Sequence, residues 1–422
     1  MSGLLSNRTY LHLFAAQVVA LTGTGILTVA LGLLAFDIAG SRAGVVLGWA
    51  LTVRILVYAF GSPVITALVR RLPVTAVLVS ADLVRVAVAL SLPLITTEAQ
   101  LYLAVFVIQA ASACFTPTFQ ALIPRVVTDE RDYTKALSLS RLAYDLEQVI
   151  SPSVAAVLLT FMSYHNLFAA TAVGFALSAL FVLTAAVGTA APEKPTDESF
   201  LTRLSSGFST MLRTPALRAV VGFNMAVAAP MAFVLVDSIV LVKAGIGFDD
   251  HFLAIALGAF GAGSIVLALA LPRLVDKVGE KAVMAAGAVG SSLVLASCAL
   301  ALPWLVDPTH PAVAYSVLCL MWFWAGAGIC AVHTPLGKLL RANADDEHLP
   351  GLFAAQFSLS HACYLVTYPV AGWVGNRLGL SAAAWILCLV TFAATGWALT
   401  QLIASSREGA DRARSEPAAA HL

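Results

Sequence analysis

Apolar residues run through this chain in blocks of about 20, broken by short polar stretches at fairly regular intervals. A helix needs about 20 apolar residues to cross a hydrocarbon core. On that measure the pattern predicts twelve crossing segments: about 10–36, 43–68, 74–95, 99–122, 136–163, 167–188, 216–242, 250–272, 281–303, 312–336, 350–374 and 380–404. Segments longer than about 25 residues imply tilt or projecting ends. The longest polar interruption contains Pro192-Glu193-Lys194-Pro195-Thr196-Asp197-Glu198 and leaves six segments on either side. Inside it, 200–212 is spaced for a short amphipathic helix on the membrane surface. The expected fold is an all-α membrane protein. It has a six-helix bundle over 1–188, a cytoplasmic linker over 189–215, a second bundle over 216–404 and a disordered cytoplasmic tail over 405–422. The first block is too long for a signal-peptide core and reads as the first span.

Composition agrees with this pattern. Of the 422 residues, 60% are hydrophobic and 11% charged, against about 25% charged in soluble domains. The formal net charge of +1 gives no electrostatic case for a nucleic-acid partner. Orientation follows from the 24 basic residues. Three (Arg42, Lys243, Arg377) fall on the side opposite the termini, three (Arg54, Arg85, Arg141) fall inside predicted spans, and the other eighteen fall on the side of the termini. The termini are therefore expected in the cytoplasm, with the chain a multi-pass monomer in a bacterial inner membrane. All six cysteines lie in apolar segments, not in loops where a disulfide framework would stand. No HExxH, phosphate-binding glycine loop or nucleophile elbow occurs, so an enzyme is not expected, and no cofactor is implied.

The predicted fifth segment is the most unusual. It carries Arg141, Asp145 and Glu147 in a run that is otherwise apolar, and each charge at a bilayer centre costs about 2.5–3.5 kcal/mol on insertion scales. At 100° per residue, Arg141, Asp145, Gln148 and Pro152 share one face, while Glu147 turns aside with Ser140, Tyr144 and Ser151. A rise of about 1.5 Å per residue puts Asp145 and Glu147 about 15–20 Å from the segment's start, near the midplane. An Arg141–Asp145 pair at i,i+4 can neutralise itself; Glu147 has no partner on its own helix. Asp145 or Glu147, with Arg141, is thus the candidate proton-coupling group. Asp82 and Arg85 at i,i+3 read as a structural charge pair. Arg54 either pairs with Glu147 or Asp145 or attracts an anionic substrate, and the sequence leaves these open. Gln17, Thr24, Gln109, Asn224, Gln356, His361 and Tyr364 are candidate cavity residues, although each also suits a helix–helix hydrogen bond.

The two halves echo one another. Ser138-Leu139-Ser140-Arg141 recurs as Ser358-Leu359-Ser360-His361, each followed by a tyrosine (Tyr144, Tyr364) and a proline (Pro152, Pro369). Gly61-Ser62 leading to Arg70-Arg71 is matched loosely by Gly263-Ser264 leading to Arg273-Leu274-Val275-Asp276-Lys277. Such paired halves resemble the major facilitator superfamily. Asn7-Arg8-Thr9-Tyr10, Leu13-Phe14-Ala15-Ala16-Gln17 and Gly23-Thr24-Gly25 resemble the first helix of the third drug:proton antiporter family. Phe115-Thr116-Pro117-Thr118-Phe119-Gln120-Ala121 and the stretch Asp132 to Glu147 are similar to its nickel-resistance-type exporters. The resemblance implies secondary active transport by alternating access, with protons exchanged for a metal cation or a small toxic compound. The alternatives are a drug or siderophore exporter without metal specificity and, more remotely, a transporter-like sensor. It also implies a gating motif at Ser151-Pro152 and at Asp276-Lys277. The acid expected before Arg70-Arg71 is missing, and the histidine-rich tail of nickel exporters is reduced to His421. The soft ligands His361, Cys363, His333 and Cys330 are the candidate metal set.

Overall fold

The structure is a computed structural model that describes residues 4, 6–58, 72–127, 129–185, 200–306, 309–343 and 349–419. The sequence features at Gly61-Ser62, Arg70-Arg71 and Pro192–Glu198 lie outside the described residues, as do the side chains of Arg141, Asp145 and Pro152. Twelve crossing helices are described: α1 (Arg8–Ala39), α2 (Ala43–Leu56), α3 (Val74–Ser91), α4 (Glu98–Val126), α5 (Glu130–Leu159) and α6 (Tyr164–Thr184), then α7 (Pro215–Ile239), α8 (Asp250–Val278), α9 (Glu280–Val306), α10 (Pro311–Arg341), α11 (Leu349–Pro369) and α12 (Leu380–Ala419). Nine stretches among the described residues are long and apolar enough to cross a membrane, one of them running through the α1–α2 corner. No described residue is in a strand.

Local chemistry sets the helix ends. Asn7 caps α1, its side chain accepting from the Tyr10 amide at 3.1 Å, and its Nδ2 donates to the Val126 carbonyl at 2.9 Å. One side chain thus starts α1 and ties it to the end of α4. Thr97 and Gln100 form a capping box on α4, and Asp129 caps α5. Between α8 and α9 the chain reverses through Gly279 alone, at φ +82°, a conformation that favours glycine.

Large apolar side chains such as Leu83, Leu103, Phe106, Leu180, Leu269, Leu300 and Leu389 are exposed around the outside. That is the surface of a body solvated by lipid. α7 lies deepest, burying every residue except Arg218, Val221, Met225 and Leu235. The six helices on each side form two bundles that meet along two seams, α5 with α8 and α2 with α11. Both seams are built on glycine. A β-carbon on Gly48 of α2 would lie 2.9 Å from the Tyr368 carbonyl oxygen of α11, and Gly372 abuts Gly44 backbone. On the other seam, Ser153 of α5 packs on Gly261 of α8, and Ala156 on Gly258. All these contacts lie at the end of the molecule away from the termini, called distal here.

α12 does not stop near 404 but continues to Ala419, so the expected disordered tail is helical backbone for most of its length. The amphipathic helix, found at Phe200–Arg213, does more than lie on a surface. Gly207 packs against the Gly351 backbone at the start of α11, and Met211 is fully buried.

Candidate functional site

A cavity opens between the bundles. Its wall is mostly the first bundle: Gln17, Ala20, Leu21 and Thr24 of α1, Arg54 and Ile55 of α2 with Tyr58 just beyond it, Arg85 of α3, Ser112, Phe115 and Thr116 of α4, and Glu147 of α5. The second bundle closes it with Phe357 and His361 of α11.

The polar wall is organised by pairs. Gln17 and Ser140 exchange hydrogen bonds, Gln17 Nε2 donating to Ser140 Oγ at 2.6 Å and Ser140 Oγ to Gln17 Oε1 at 2.9 Å. This joins α1 to α5 at the start of the repeated Ser-Leu-Ser motif. Farther along the same face, Ser151 sits against Gly25, and a β-carbon there would also lie 3.1 Å from Glu147 Oε1. Ser140, Glu147 and Ser151 therefore share the side of α5 that faces α1, as their spacing predicts. Tyr58 Oη and Thr116 Oγ1 lie 3.0 Å apart, and Arg54 Nη1 donates to Thr28 Oγ1 at 3.1 Å.

Glu147 makes no ion pair among the described residues. Arg54 is near enough to act on it electrostatically, and both act on Tyr364 and Tyr368, which stack with centroids 4.9 Å apart behind the cavity. Arg85 is tied to Asp82 in a short buried pair, its guanidinium 4.5 Å from the centroids of both Phe115 and Phe175. The pair neutralises itself, so among the described side chains of the wall Arg54 and Glu147 carry the remaining formal charges. Those two sum to zero with Glu147 ionised and to +1 with it protonated. Tyr58, Phe115 and Phe357 supply ring surface beside that switch. His361 stacks on Tyr58 at 6.5 Å, and its Nδ1 lies 2.8 Å from the Phe357 carbonyl. A carbonyl only accepts, so this contact is a hydrogen bond when Nδ1 carries a proton.

Of the predicted cavity residues, Gln17, Thr24, Arg54 and His361 line it. Asn224 and Gln356 instead bond each other both ways at 2.9 Å, joining α7 to α11. Gln109 is buried in α4 with Oε1 lacking a partner, and Tyr364 is buried behind His361. Asp276 and Lys277 are exposed at the terminal end of α8. The metal set is not assembled: among the described residues no group of three His, Cys, Asp or Glu can hold an ion. Cys363 stands two residues from His361, on another side of the helix, and its Sγ donates to the Leu359 carbonyl at 3.3 Å. Cys330 and His333 are buried on α10, where Cys330 Sγ lies 3.4 Å from Thr334 Oγ1.

Sequence reasoning missed three aromatic wall residues and one acid. Tyr58 lies one turn beyond Arg54, and Phe357 one turn before His361, a spacing that could have found them. Phe115 had no signal beyond its helix. Asp237, buried in α7, stands inside a predicted span and was legible as an intramembrane charge.

The family model described as Major Facilitator Superfamily matches residues 13–240 and again 237–420. Among solved structures, a POT family transporter in complex with 5-aminolevulinic acid is similar at 13% identity and TM-score 0.68, covering 95% of this chain and 96% of that one. A POT family transporter in complex with a thioalcohol conjugated peptide is similar at 14% identity and TM-score 0.66, covering 94% and 96%. The nucleoside transporter NupG is similar at 14% and TM-score 0.61, covering 94% and 98%. At these identities the likeness is one of fold. No curated protein matches the chain by sequence.

Proposed function

The chain belongs to the major facilitator superfamily, and we propose that it is a proton-coupled exporter of small amphipathic organic compounds working by alternating access. The carrying observation is Glu147: a carboxyl without an ion pair among the described residues, on the wall of an aromatic cavity that also carries Arg54, while the Arg85 charge there is paired with Asp82. Ionised, Glu147 attracts a cationic centre while Tyr58, Phe115 and Phe357 hold its apolar body. Protonated, it leaves Arg54 unbalanced, and the cavity repels the same cation. Proton and substrate therefore compete for one carboxyl, which is the condition for exchange. Arg141 and Asp145, on the same helix, are proposed to support that step.

An organic substrate is favoured over a metal cation because the cavity offers rings and a single imidazole, and no cluster of three ligands occurs among the described residues. Asp82–Arg85 is proposed as a structural pair, and the Ser151-Pro152-Ser153 stretch as the packing surface on which the bundles rock. Export rather than import and the inner-membrane location belong to the same proposal, as do the cytoplasmic termini, which the bias of basic residues supports.

Purified protein in liposomes tests it. An imposed proton gradient, acidic inside inward-oriented vesicles, should drive uptake of an aromatic organic cation such as ethidium. Glu147→Gln should lose this driven uptake by at least about tenfold, the usual scale for loss of a group used in proton transfer. Full activity in Glu147→Gln would remove Glu147 from the coupling step. Driven nickel uptake that His361→Ala abolishes would restore the metal reading.

A further inference from the structure

The charge that the cavity does not use is Asp237, in the last turn of α7 and 1% exposed. It lies at the distal end, where α7 meets both sides of the α2–α11 seam. Its Oδ2 is buried with no hydrogen-bond partner. Its Oδ1 faces two glycines from opposite bundles: a β-carbon on Gly44 of α2 would lie 3.3 Å away, and one on Gly375, just past α11, 3.4 Å away. Any side chain at either glycine would crowd the carboxyl.

Among the described residues, the surrounding elements bring no cation to it. α9 contributes Cys298, an uncharged thiol close enough to feel the carboxyl. α10 sends Trp322 Nε1 to the neighbouring Ser238 Oγ at 2.7 Å, not to the carboxyl. α12 sets Leu380 and Ala383 against Gly375. The nearby basic residues are committed or exposed: Lys243 to Asp250, Arg42 to Glu98 at 2.7 Å, and Arg377 to the surface. An ionised carboxylate is strongly disfavoured in such a place, whereas a neutral acid fits it. A bound metal ion would need several oxygen or nitrogen ligands and space for itself. Glycine backbone fills that space, and no three-ligand group is found among the described residues.

We propose that Asp237 is a proton-binding site whose protonation holds the distal seam shut. Proton loss to distal water leaves a carboxylate that must be hydrated, and hydration requires α2 and α11 to part. Proton uptake from the distal side removes the charge and lets the two glycine faces close over it. The protein then has a proton site in its gate, separate from the one in its cavity. This inference rests on the alternating-access reading above but not on Glu147.

The test places spin labels at Ser41→Cys and Asn376→Cys, exposed distal positions on opposite bundles, in a background lacking the six native cysteines. The full chain is reconstituted in lipid, and the inter-label distance distribution is recorded across pH. The wild-type gate should shift toward longer distances as pH rises, and Asp237→Asn should stay short throughout. A wild-type distribution that does not move with pH overturns the proposal without any variant. So does an Asp237→Asn protein that keeps the wild-type shift, or a shift abolished by Glu147→Gln and not by Asp237→Asn. Glu147→Gln that loses driven transport but keeps the distal shift supports two separate proton sites.

Discussion

Two buried amide contacts occupy corresponding places in the two bundles: Gln17 with Ser140 between α1 and α5, and Asn224 with Gln356 between α7 and α11. In Asn224–Gln356 each amide donates to and accepts from the other, so removing one strands its buried partner. Asn224→Ala should therefore destabilise the protein by about 1–3 kcal/mol, the cost of leaving a buried polar group unpaired. The double variant Asn224→Leu with Gln356→Leu should recover much of that loss. Thermal unfolding in detergent measures both, and an unchanged midpoint in Asn224→Ala would refute the pairing as an energetic contact. At this scale the sequence was informative about chemistry but not about partners. It marked Asn224 and Gln356 as polar residues in apolar spans, equally suited to a cavity or a helix contact. The choice depends on helix rotation, which a few apolar neighbours fix only when the bundle assembles.

At the scale of helices, the seams work because small residues let backbones touch. α5 is the clearest case: Ser151 packs on Gly25 within its own bundle, and Ser153 packs on Gly261 across to the other. Two residues apart, they face different neighbours, so a shift of α5 changes both contacts together. On the α2–α11 seam, Gly48 meets a backbone carbonyl, which cannot rotate away as a side chain can. Gly48→Val should thus penalise only the distal-closed state, by about 1–3 kcal/mol for overpacking. Transport should fall about tenfold, since each 1.4 kcal/mol shifts a population tenfold. Folding should be largely intact. Counterflow rates together with the midpoint of unfolding separate these effects; wild-type transport in Gly48→Val would show that the seam does not close during turnover. The sequence pointed to Ser151-Pro152 as a packing motif, and the structure adds what it packs against.

The whole molecule has its glycine seams at the distal end and its amphipathic helix, Phe200–Arg213, against the start of α11 at the terminal end. The cavity between them is walled by five helices of the first bundle and by α11 of the second. If the basic residues set the orientation, a fluorescent protein fused after Leu422 should fluoresce, because it folds in the cytoplasm. Alkaline phosphatase at the same place should be inactive, and Ser41→Cys should be labelled by an impermeant maleimide from outside intact cells. A phosphatase-active fusion would invert the topology and with it the direction proposed for export.

The sequence by itself determined the twelve crossings and the echo between halves, and it set the expectation for their polarity. Those properties follow from local hydrophobicity and charge, which the bilayer reads one segment at a time. It also marked Asp145 and Glu147, with Arg141, as candidate coupling groups, because charges in an apolar run are conspicuous without any tertiary neighbour. Only the tertiary structure decided what each charge faces. It set Glu147 across from Arg54 and left the soft ligands apart. It also lodged Asp237 between two glycines drawn from chain positions far from it in sequence. Such juxtapositions depend on how helices rotate and cross, and those angles are set by packing between distant segments, beyond the reach of any local pattern.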